Sequence, residues 1–488
     1  MPELVLPGVY IDVRAEALIV GGPVTVGNIG IVGTARDGPI GEVQVLGGYA
    51  DATAIFGAYD AFGSPDAPAT PPPAGSPATP EVTLVRALEI AYSSGASTVF
   101  AVRVTGHDTG GNTTAKKASR GVAGTNVILN AKNPGFRPIQ IIVEDTATPP
   151  TATSPMRVTL KLGRTEEVYT VNDGADLVTQ VNAGSALVDA TAPGGAATGK
   201  PTAVPASPPT LFTGGDNGAN AKDSDYKAGL ELLLNENVQI MVAAGLDDTV
   251  IGDELKAHVE AASSDKIKRD RIAVVGSRAK APNQSDSAFL ALLTKPSVVG
   301  ERIIFVAPGI QTTDATSGNP VTLPGAYAAA AIAGMLSARD PQVSLTNKTL
   351  PVAGVETRFT SAQLEQLVTA GVLALEDRRG IRIVRGITTD DGAFRQITTR
   401  RIVDFAKFGV RSSADPFIGL LNNDRVRKAL KGSINGFLAG MVDDEMLISY
   451  ELDVSATRDQ EIRGIAQVTM TLRPTFSIDF IKVVMFLG

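Results

Sequence analysis

Residues 238–276, VQIMVAAGLDDTVIGDELKAHVEAASSDKIKRDRIAVVG, decide the fold of this chain. The apolar run at 238–245 has the length and composition of a buried strand. A helical pattern follows at 248–264, and a second apolar run follows at 271–276. A strand, a helix and a strand in this order form a βαβ unit, in which the two strands are parallel. The stretch therefore predicts an α/β fold with helices on both faces of a parallel sheet.

The same alternation continues on both sides of this stretch. Helical patterns are predicted at 223–236, 285–294 and 323–338, and a further strand is predicted at 302–309. Extended segments and one helix also precede the strand STVFAVRV, which ends at residue 104. We therefore predict a core domain that is formed from two parts of the chain, which are residues 26–104 and 213–360.

Residues 105–212 differ from the core in composition and in pattern. They are rich in Thr, Ala, Gly and Pro, and MRVTLKLGRTEEVYTV (156–171) has the alternation of a hairpin with Gly163 at its turn. We interpret 105–212 as an inserted all-β domain. Residues 63–80, which are rich in proline and alanine, predict an exposed polyproline-type loop.

The pattern changes again near residue 361. Helical patterns are followed by strand patterns, which is typical of a separate α+β unit, and we place this C-terminal domain at 361–475. The two ends, 1–25 and 476–488, are predicted to be extended segments.

Composition excludes several functions. The net charge is −7 and no dense basic run occurs, which argues against a nucleic-acid-binding surface. The chain has no cysteine, so cysteine catalysis and cysteine metal sites are excluded. The first residues lack the pattern of a signal peptide, and the apolar run 326–336 is too short to span a bilayer, so we expect a soluble protein made in a cytoplasm. No cofactor is predicted.

Three stretches imitate enzyme sites. In GGAATGKPT (194–202), Pro201 replaces the hydroxyl residue that a phosphate-binding loop requires, so we interpret it as a flexible loop. The glycines of VGNIGIVG (26–33) have the wrong spacing for a dinucleotide site and favour a packed core strand. A hydrolase would need a serine beside His107 or His258, but no nucleophile-elbow motif is present. His258, between Glu254 and Glu260, is predicted to lie on a solvated helix face.

One basic stretch has two interpretations. Solvated helix faces would account for it, and so would contacts with acidic faces of another subunit. Its residues are Arg400, Arg401, Lys407, Arg411, Arg425, Arg427, Lys428 and Lys431.

The last residues, PTFSIDFIKVVMFLG (474–488), carry apolar side chains on both faces of the predicted strand. A strand of this kind needs cover on both sides. It is either an ordinary strand of its own domain or a strand added to the edge of a neighbouring subunit's sheet.

The order of landmarks along the chain resembles that of the tail sheath proteins of contractile phage tails and contractile injection systems. The landmarks are LPGVYIDV (6–13), GNIGIVGTARDGPIG (27–41), LFTGGDNG (211–218), LPGAYAAAAIAGMLSARDP (323–341), RRIVDFAKFGVRSSADPF (400–417) and the final segment from residue 449. The resemblance implies a subtilisin-like α/β core without protease activity, and an inserted domain that points outward.

The resemblance also implies a structural subunit that is not an enzyme. Such subunits form stacked hexameric rings around an inner tube, exchange terminal strands and contract from a metastable extended state. The interface residues implied are Val5, Leu6, Val9, Tyr10, Ile11, Val13, Phe476, Ile478, Phe480, Ile481, Val483, Val484, Met485, Phe486 and Leu487.

The implied partners are further copies of the chain, the inner tail tube protein, and the baseplate and tail terminator proteins, with no direct contact to nucleic acid or membrane. The implied location is a virion tail or injection particle. A subtilisin-like serine hydrolase or its degenerate relative is the alternative, and a surface-layer or adhesin protein is a third interpretation.

Overall fold

A computed structural model describes residues 27–58, 82–107, 112–147, 149–151, 153–218, 220–314 and 318–486. The predicted N-terminal arm at 1–25, the predicted proline-rich loop at 63–80 and Leu487 lie outside the described residues.

The first part of the chain supplies three strands and two helices to the body of the molecule. These are β1 (Ile29–Gly33), β2 (Val43–Leu46), α1 (Tyr49–Phe56), α2 (Leu84–Ser93) and β3 (Val99–Arg103). The next part, up to residue 211, contains β4 (Lys117–Gly121), β5 (Ile128–Pro134), β6 (Gln140–Asp145), β7 (Met156–Leu162), β8 (Thr165–Val171), α3 (Gly174–Gly184), β9 (Val188–Thr191) and β10 (Thr210–Leu211).

The third part alternates helices with strands as the sequence predicts. Its elements are α4 (Asp223–Leu232), β11 (Ile240–Ala243), α5 (Asp248–Ala262), β12 (Ile272–Gly276), α6 (Asp286–Leu293), β13 (Ile303–Ala307), β14 (Ile310–Thr313), β15 (Pro320–Leu323), α7 (Gly325–Ser337), β16 (Gly354–Val355), α8 (Ser361–Thr369), β17 (Val372–Asp377) and β18 (Ile381–Ile383). The last part contains α9 (Ile397–Ala414), α10 (Asp424–Asp443), β19 (Leu447–Ser455), α11 (Arg458–Ile462) and β20 (Gln467–Pro474).

An eight-stranded sheet forms the centre of the molecule, in the order β18-β17-β13-β12-β11-β1-β3-β2. The six strands from β17 to β3 pair in parallel, and β18 and β2 pair antiparallel at the two edges. The predicted parallel sheet is therefore confirmed. β1 lies between β3 and β11, so the two parts of the chain on either side of residues 105–212 share one sheet.

Alternating side chains of the strands face two separate helix layers. In β12, Ile272 and Val274 pack in a core with α2 and α7, whereas Ala273 and Val275 pack in a second core with α4, α5, α6 and α8. This follows from the two-residue period of a strand, and it explains why the strands read as continuous apolar runs.

Helix α7 approaches α2 through glycine. Every residue from Gly325 to Leu336 is buried, and a Cβ at Gly334 would collide with the backbone carbonyl of Ala91 in α2. The alanine-rich composition of α7 therefore serves close packing inside the protein.

Residues 117–211 build two small sheets of their own, β10-β6-β7-β8 and β4-β5-β9, around a separate apolar core. The predicted hairpin is confirmed as β7 and β8, with Gly163 in the left-handed region (φ 58°) at the turn. The all-β prediction for this insertion is wrong, because α3 lies within it. Asp173 caps α3 by accepting a hydrogen bond from the Asp176 amide, and the helix buries Leu177 and Val181.

The predicted change of pattern at residue 361 does not coincide with the end of the main sheet. β17 pairs in parallel with β13, and α8 buries Leu364 and Leu367 against the same sheet. Helix and strand patterns do not reveal which strand is the neighbour, which is why the sequence placed this boundary too early. The last part of the chain, from α9 onward, forms two layers, with the β19–β20 hairpin packed on α9 and α10.

We expect Gly334→Ala to destabilise the protein, because the added methyl group forces α7 away from α2. Overpacking of this kind costs about 2 kcal/mol. Thermal unfolding of the isolated subunit, followed by circular dichroism, measures the effect. Gly436→Ala in α10 is the matched control, since a Cβ there meets nothing within 4 Å, and replacing an exposed helix glycine stabilises by up to ~1 kcal/mol. Equal effects of the two changes would contradict the packing argument.

Candidate subunit interface

The C-terminal arm, which we define as residues 475–486, leaves its apolar side chains uncovered. Exposure of its large apolar residues ranges from 60% at Phe476 to 92% at Phe486. They are Phe476, Ile478, Phe480, Ile481, Val483, Val484, Met485 and Phe486. Apolar surface in this amount on one segment indicates a contact that the described part of the chain does not supply.

The arm is not part of any sheet in the described chain. Its last backbone–backbone hydrogen bond runs from the Thr475 amide to the Met446 carbonyl, at 3.1 Å. Of the two interpretations from the sequence, an ordinary strand in its own domain is therefore wrong for the chain as described. Beyond Ser477, whose amide donates to the Gln396 side chain, the described backbone groups make no hydrogen bond and remain available for pairing with another chain.

The hairpin beside the arm has free edges. β19 and β20 form a two-stranded sheet, so each strand has one edge that pairs with no described strand. Tyr450, Leu452 and Leu472 on one face of the hairpin pack against the C-terminal helices. An added strand would therefore extend a sheet that already has an apolar layer beneath it.

The side chain of Asp479 is buried although this residue lies in the arm. The Asp479 side chain is 6% exposed, and its carboxylate lies 2.7 Å from Nε of Arg385. Asp479 is not among the interface residues predicted from the sequence. An acidic residue inside an apolar run was the available signal, because a charge at such a position needs a partner.

The basic stretch holds α9 on the body of its own chain. Arg302, which precedes β13, donates to Asp404 of α9 at 2.7 Å and to Asp270 at 3.2 Å. Lys407 and Arg411 of α9 also bind Asp270, the latter at 2.6 Å. The Asp270 side chain is 3% exposed.

The two residues that open this stretch are buried as well. Arg400 binds Asp404 at 2.7 Å and stacks over Phe394, with its guanidinium carbon 4.2 Å from the ring centre. Arg401 donates to the Arg339 carbonyl at 2.8 Å, and burial lowers its pKa to about 10, so that it remains charged at neutral pH. Solvated faces and contacts with another subunit are thus both wrong for Arg400 and Arg401. Lys428, paired with Asp424, does lie in solvent.

The two histidines do not have the surroundings of a hydrolase site. His107 Nδ1 lies 2.7 Å from the Asp225 carboxylate, and within the described residues it makes no hydrogen bond to a hydroxyl. His258 is buried, so its predicted solvated position is wrong. Burial and the nearby charge of Arg271 lower the pKa of His258 to about 3, and Arg271 donates to its Nε2 at 3.0 Å.

The two stretches that resemble nucleotide-binding motifs have packing and hydrogen-bonding roles in the structure. Gly30 and Gly33 lie in the buried strand β1, where a Cβ would press on Met241 and Ala244 respectively. Lys200 donates to the Thr151 carbonyl at 3.0 Å. Within the described residues, no group of three or more acidic or histidine side chains could hold a metal, and no helix is suited to crossing a membrane.

Two family models match the chain from residue 219 to residue 487, which is more than half of its length. The model described as phage tail sheath protein central domain matches 219–389, and the phage tail sheath C-terminal domain model matches 389–487. The chain belongs to the phage tail sheath family. The resemblance stated from the sequence landmarks is therefore confirmed.

Individual relatives agree with this assignment. The tail sheath protein of Bacillus phage SP01 is 28% identical to this sheath protein over 252 residues, which are 49% of this chain and 42% of that relative. The match thus spans less than half of the relative's length.

Two solved structures share the fold of this sheath protein. The sheath tail protein of Desulfitobacterium hafniense superimposes with a TM-score of 0.65 at 17% identity, over 96% of this chain and 100% of that one. The helical sheath of the anti-feeding prophage in its contracted state superimposes with a TM-score of 0.56 at 15% identity, over all of both chains.

We expect Asp270→Asn to destabilise the sheath protein by about 3 kcal/mol, because it leaves Arg302, Lys407 and Arg411 without their shared buried carboxylate. Urea unfolding, followed by circular dichroism, measures the loss. Asp265→Asn is the matched control, because Asp265 also faces Arg411, at 3.9 Å, but is fully exposed. Its effect should stay within about 0.5 kcal/mol. A similar loss in both variants would show that the buried network does not hold α9.

Proposed function

We propose that this chain is the structural subunit of a contractile tail sheath. Its copies polymerise as stacked hexameric rings around an inner tube and contract from a metastable extended state, which drives the tube through the envelope of a target cell. The observation that carries this proposal is an apolar, unpaired arm at residues 475–486 in a chain of the sheath family.

Energetic considerations support exchange of the arm between subunits. Addition of the arm to the free edge of a neighbour's β19–β20 hairpin supplies about five ladder hydrogen bonds, each worth ~1 kcal/mol net. Burial of each large side chain adds ~1.5–3 kcal/mol. The two terms together are sufficient to link subunits, and the entropy of ordering the arm offsets part of them.

The body of the subunit is suited to moving as one piece. The eight-stranded sheet is covered on both faces by its own helices, and the Asp270 network fixes α9 to it. We propose that the sheet is of the subtilisin-like type and that residues 105–212 face outward from the assembled sheath. The separate apolar core of that insertion supports its assignment as a unit of its own.

The partners that follow from this function are other copies of the chain, the inner tail tube protein, and the baseplate and tail terminator proteins. The N-terminal residues Val5, Leu6, Val9, Tyr10, Ile11 and Val13, together with Leu487, are proposed to take part in the exchange. The location is a virion tail or a related injection particle, whose subunits are made in the host cytoplasm.

Deletion of residues 481–488 should abolish assembly and leave the fold of the subunit intact. The cut keeps Asp479 and Phe480, and in the described chain Ile481 to Phe486 make no hydrogen bond or ion pair, so the body loses neither kind of contact. Negative-stain micrographs and sedimentation of the purified protein measure assembly, and thermal unfolding measures the fold.

A matched variant replaces Ile481, Val483 and Met485 with serine, which keeps the length of the arm but removes apolar surface. It should also fail to assemble, because ladder hydrogen bonds alone do not offset the entropy of ordering the arm. Rings or tubes formed by the shortened chain at the parent's concentration would contradict strand exchange. A parent chain that forms no rings and no tubes would contradict the sheath function itself.

A further inference from the structure

Asp479 is a buried anchor in an exposed arm. Its side chain is 6% exposed, whereas Ile478 and Phe480 on either side are each 80% exposed. A buried carboxylate at this position is retained only where its charge is balanced and its oxygens accept hydrogen bonds. The arm is therefore attached to the body at this point.

Four donors surround the Asp479 carboxylate. One oxygen accepts from the hydroxyls of Thr346 at 3.1 Å and Ser477 at 3.2 Å. The other accepts from Nε of Arg385 at 2.7 Å and from the Gln396 amide at 3.3 Å. Three separate segments of the body thus meet at one residue of the arm, and we call this arrangement the Asp479 clamp.

Adjacent contacts belong to the same clamp. The Gln396 side chain also accepts a hydrogen bond from the Ser477 amide at 3.4 Å, and the Arg385 guanidinium lies 5.3 Å from the centre of the Phe480 ring. Beyond Phe480, the described arm makes no hydrogen bond or ion pair. The Asp479 carboxylate is therefore the last hydrogen-bonded point of the described arm, and the segment beyond it begins at Phe480.

We propose that Asp479 is the positioning residue of strand exchange, which fixes where the arm leaves the body and how far it can reach. This inference rests on the proposed sheath function. The partner of the free segment is a second copy of the chain, since the arm is apolar and the hairpin edge of each copy is unpaired.

The length of the free segment of the arm depends on whether the clamp is closed or open. With the clamp closed, Phe480 to Phe486 span about 23 Å when extended, at ~3.3 Å per residue. With the clamp open, the free segment begins at Phe476 and spans about 36 Å. Opening the clamp thus adds up to about 13 Å of slack, because four more residues become free.

Asp479→Asn tests the clamp with a nearly isosteric change. The amide keeps one oxygen that can accept from Arg385 and Gln396, but it removes the negative charge that pairs with the Arg385 guanidinium. The chain has no cysteine, so Lys482→Cys provides a single site for a spin label in the full-length chain. Below the assembly concentration, label motion should be restricted in the parent and free in Asp479→Asn. Equal motion in the two proteins overturns the proposal.

Assembly is the second measurement. Asp479→Asn, without the label, should need about ten-fold more protein than the parent to form rings or tubes, because a longer free arm loses more entropy on pairing. Asp265→Asn removes a fully exposed carboxylate and should assemble as the parent does. If Asp479→Asn assembles like the parent, the role of the clamp in exchange is wrong. If the parent does not assemble at all, the sheath function is wrong instead.

A covalent clamp separates positioning from loss of charge. Thr346→Cys combined with Asp479→Cys places two cysteines at positions whose side-chain oxygens lie 3.1 Å apart, in an otherwise cysteine-free chain, and mass spectrometry of the oxidised protein confirms that the disulfide has formed. The oxidised protein should assemble within about three-fold of the parent, since the take-off point is restored without the carboxylate. The reduced protein should behave as Asp479→Asn does. Equal assembly of the oxidised and reduced forms overturns the positioning role.

Discussion

The structure depends on where apolar surface finds cover. In the body, both faces of the eight-stranded sheet are covered by helices of the same chain. In the arm, eight large apolar side chains have no such cover. Because exposed apolar surface of this extent is unfavourable in water, the arm is the segment that we propose to be covered by another copy of the chain.

Charge performs a different task from apolar burial in this protein. The Asp270 network joins α9 to the sheet, and the Asp479 clamp joins the root of the arm to the loops around Thr346, Arg385 and Gln396. Both place a buried carboxylate among several donors. Loss of the carboxylate therefore leaves those buried donors without an acceptor. These hydrogen bonds and ion pairs fix the positions of α9 and of the arm, because they are directional whereas apolar packing is not.

Local patterns in the sequence were sufficient for the central fold. Strand and helix periods between 223 and 338 predicted the parallel sheet, because those periods are properties of neighbouring residues. Helix α3 was missed although Asp173, Leu177 and Val181 carried the signal of a capped amphipathic helix. The boundary at 361 was misplaced because pairing of β17 with β13 is a non-local property.

The candidate interface was predictable only in part, for the same reason. Apolar residues on both faces of the last segment indicated missing cover. Partners far away in sequence could not be read: Asp270 lies 137 residues from Lys407, and Asp479 lies 133 residues from Thr346. The charges of Arg400 and Arg401 were therefore interpreted as surface features although both residues are buried.

In the contracting assembly that we propose, a rigid body and a flexible link have different consequences. A body held by a covered sheet and a buried ionic network keeps its shape, so a change in the spacing of subunits must be absorbed by the segments between them. An arm paired to a neighbour by ladder hydrogen bonds resists being pulled out, because all of those bonds break together. We infer that the clamp is the weaker of the two attachments, because it lacks the burial of large apolar side chains that strand exchange would add. Strain between subunits would therefore release Asp479 before it breaks the exchanged strand, and the freed residues would lengthen the link without breaking it.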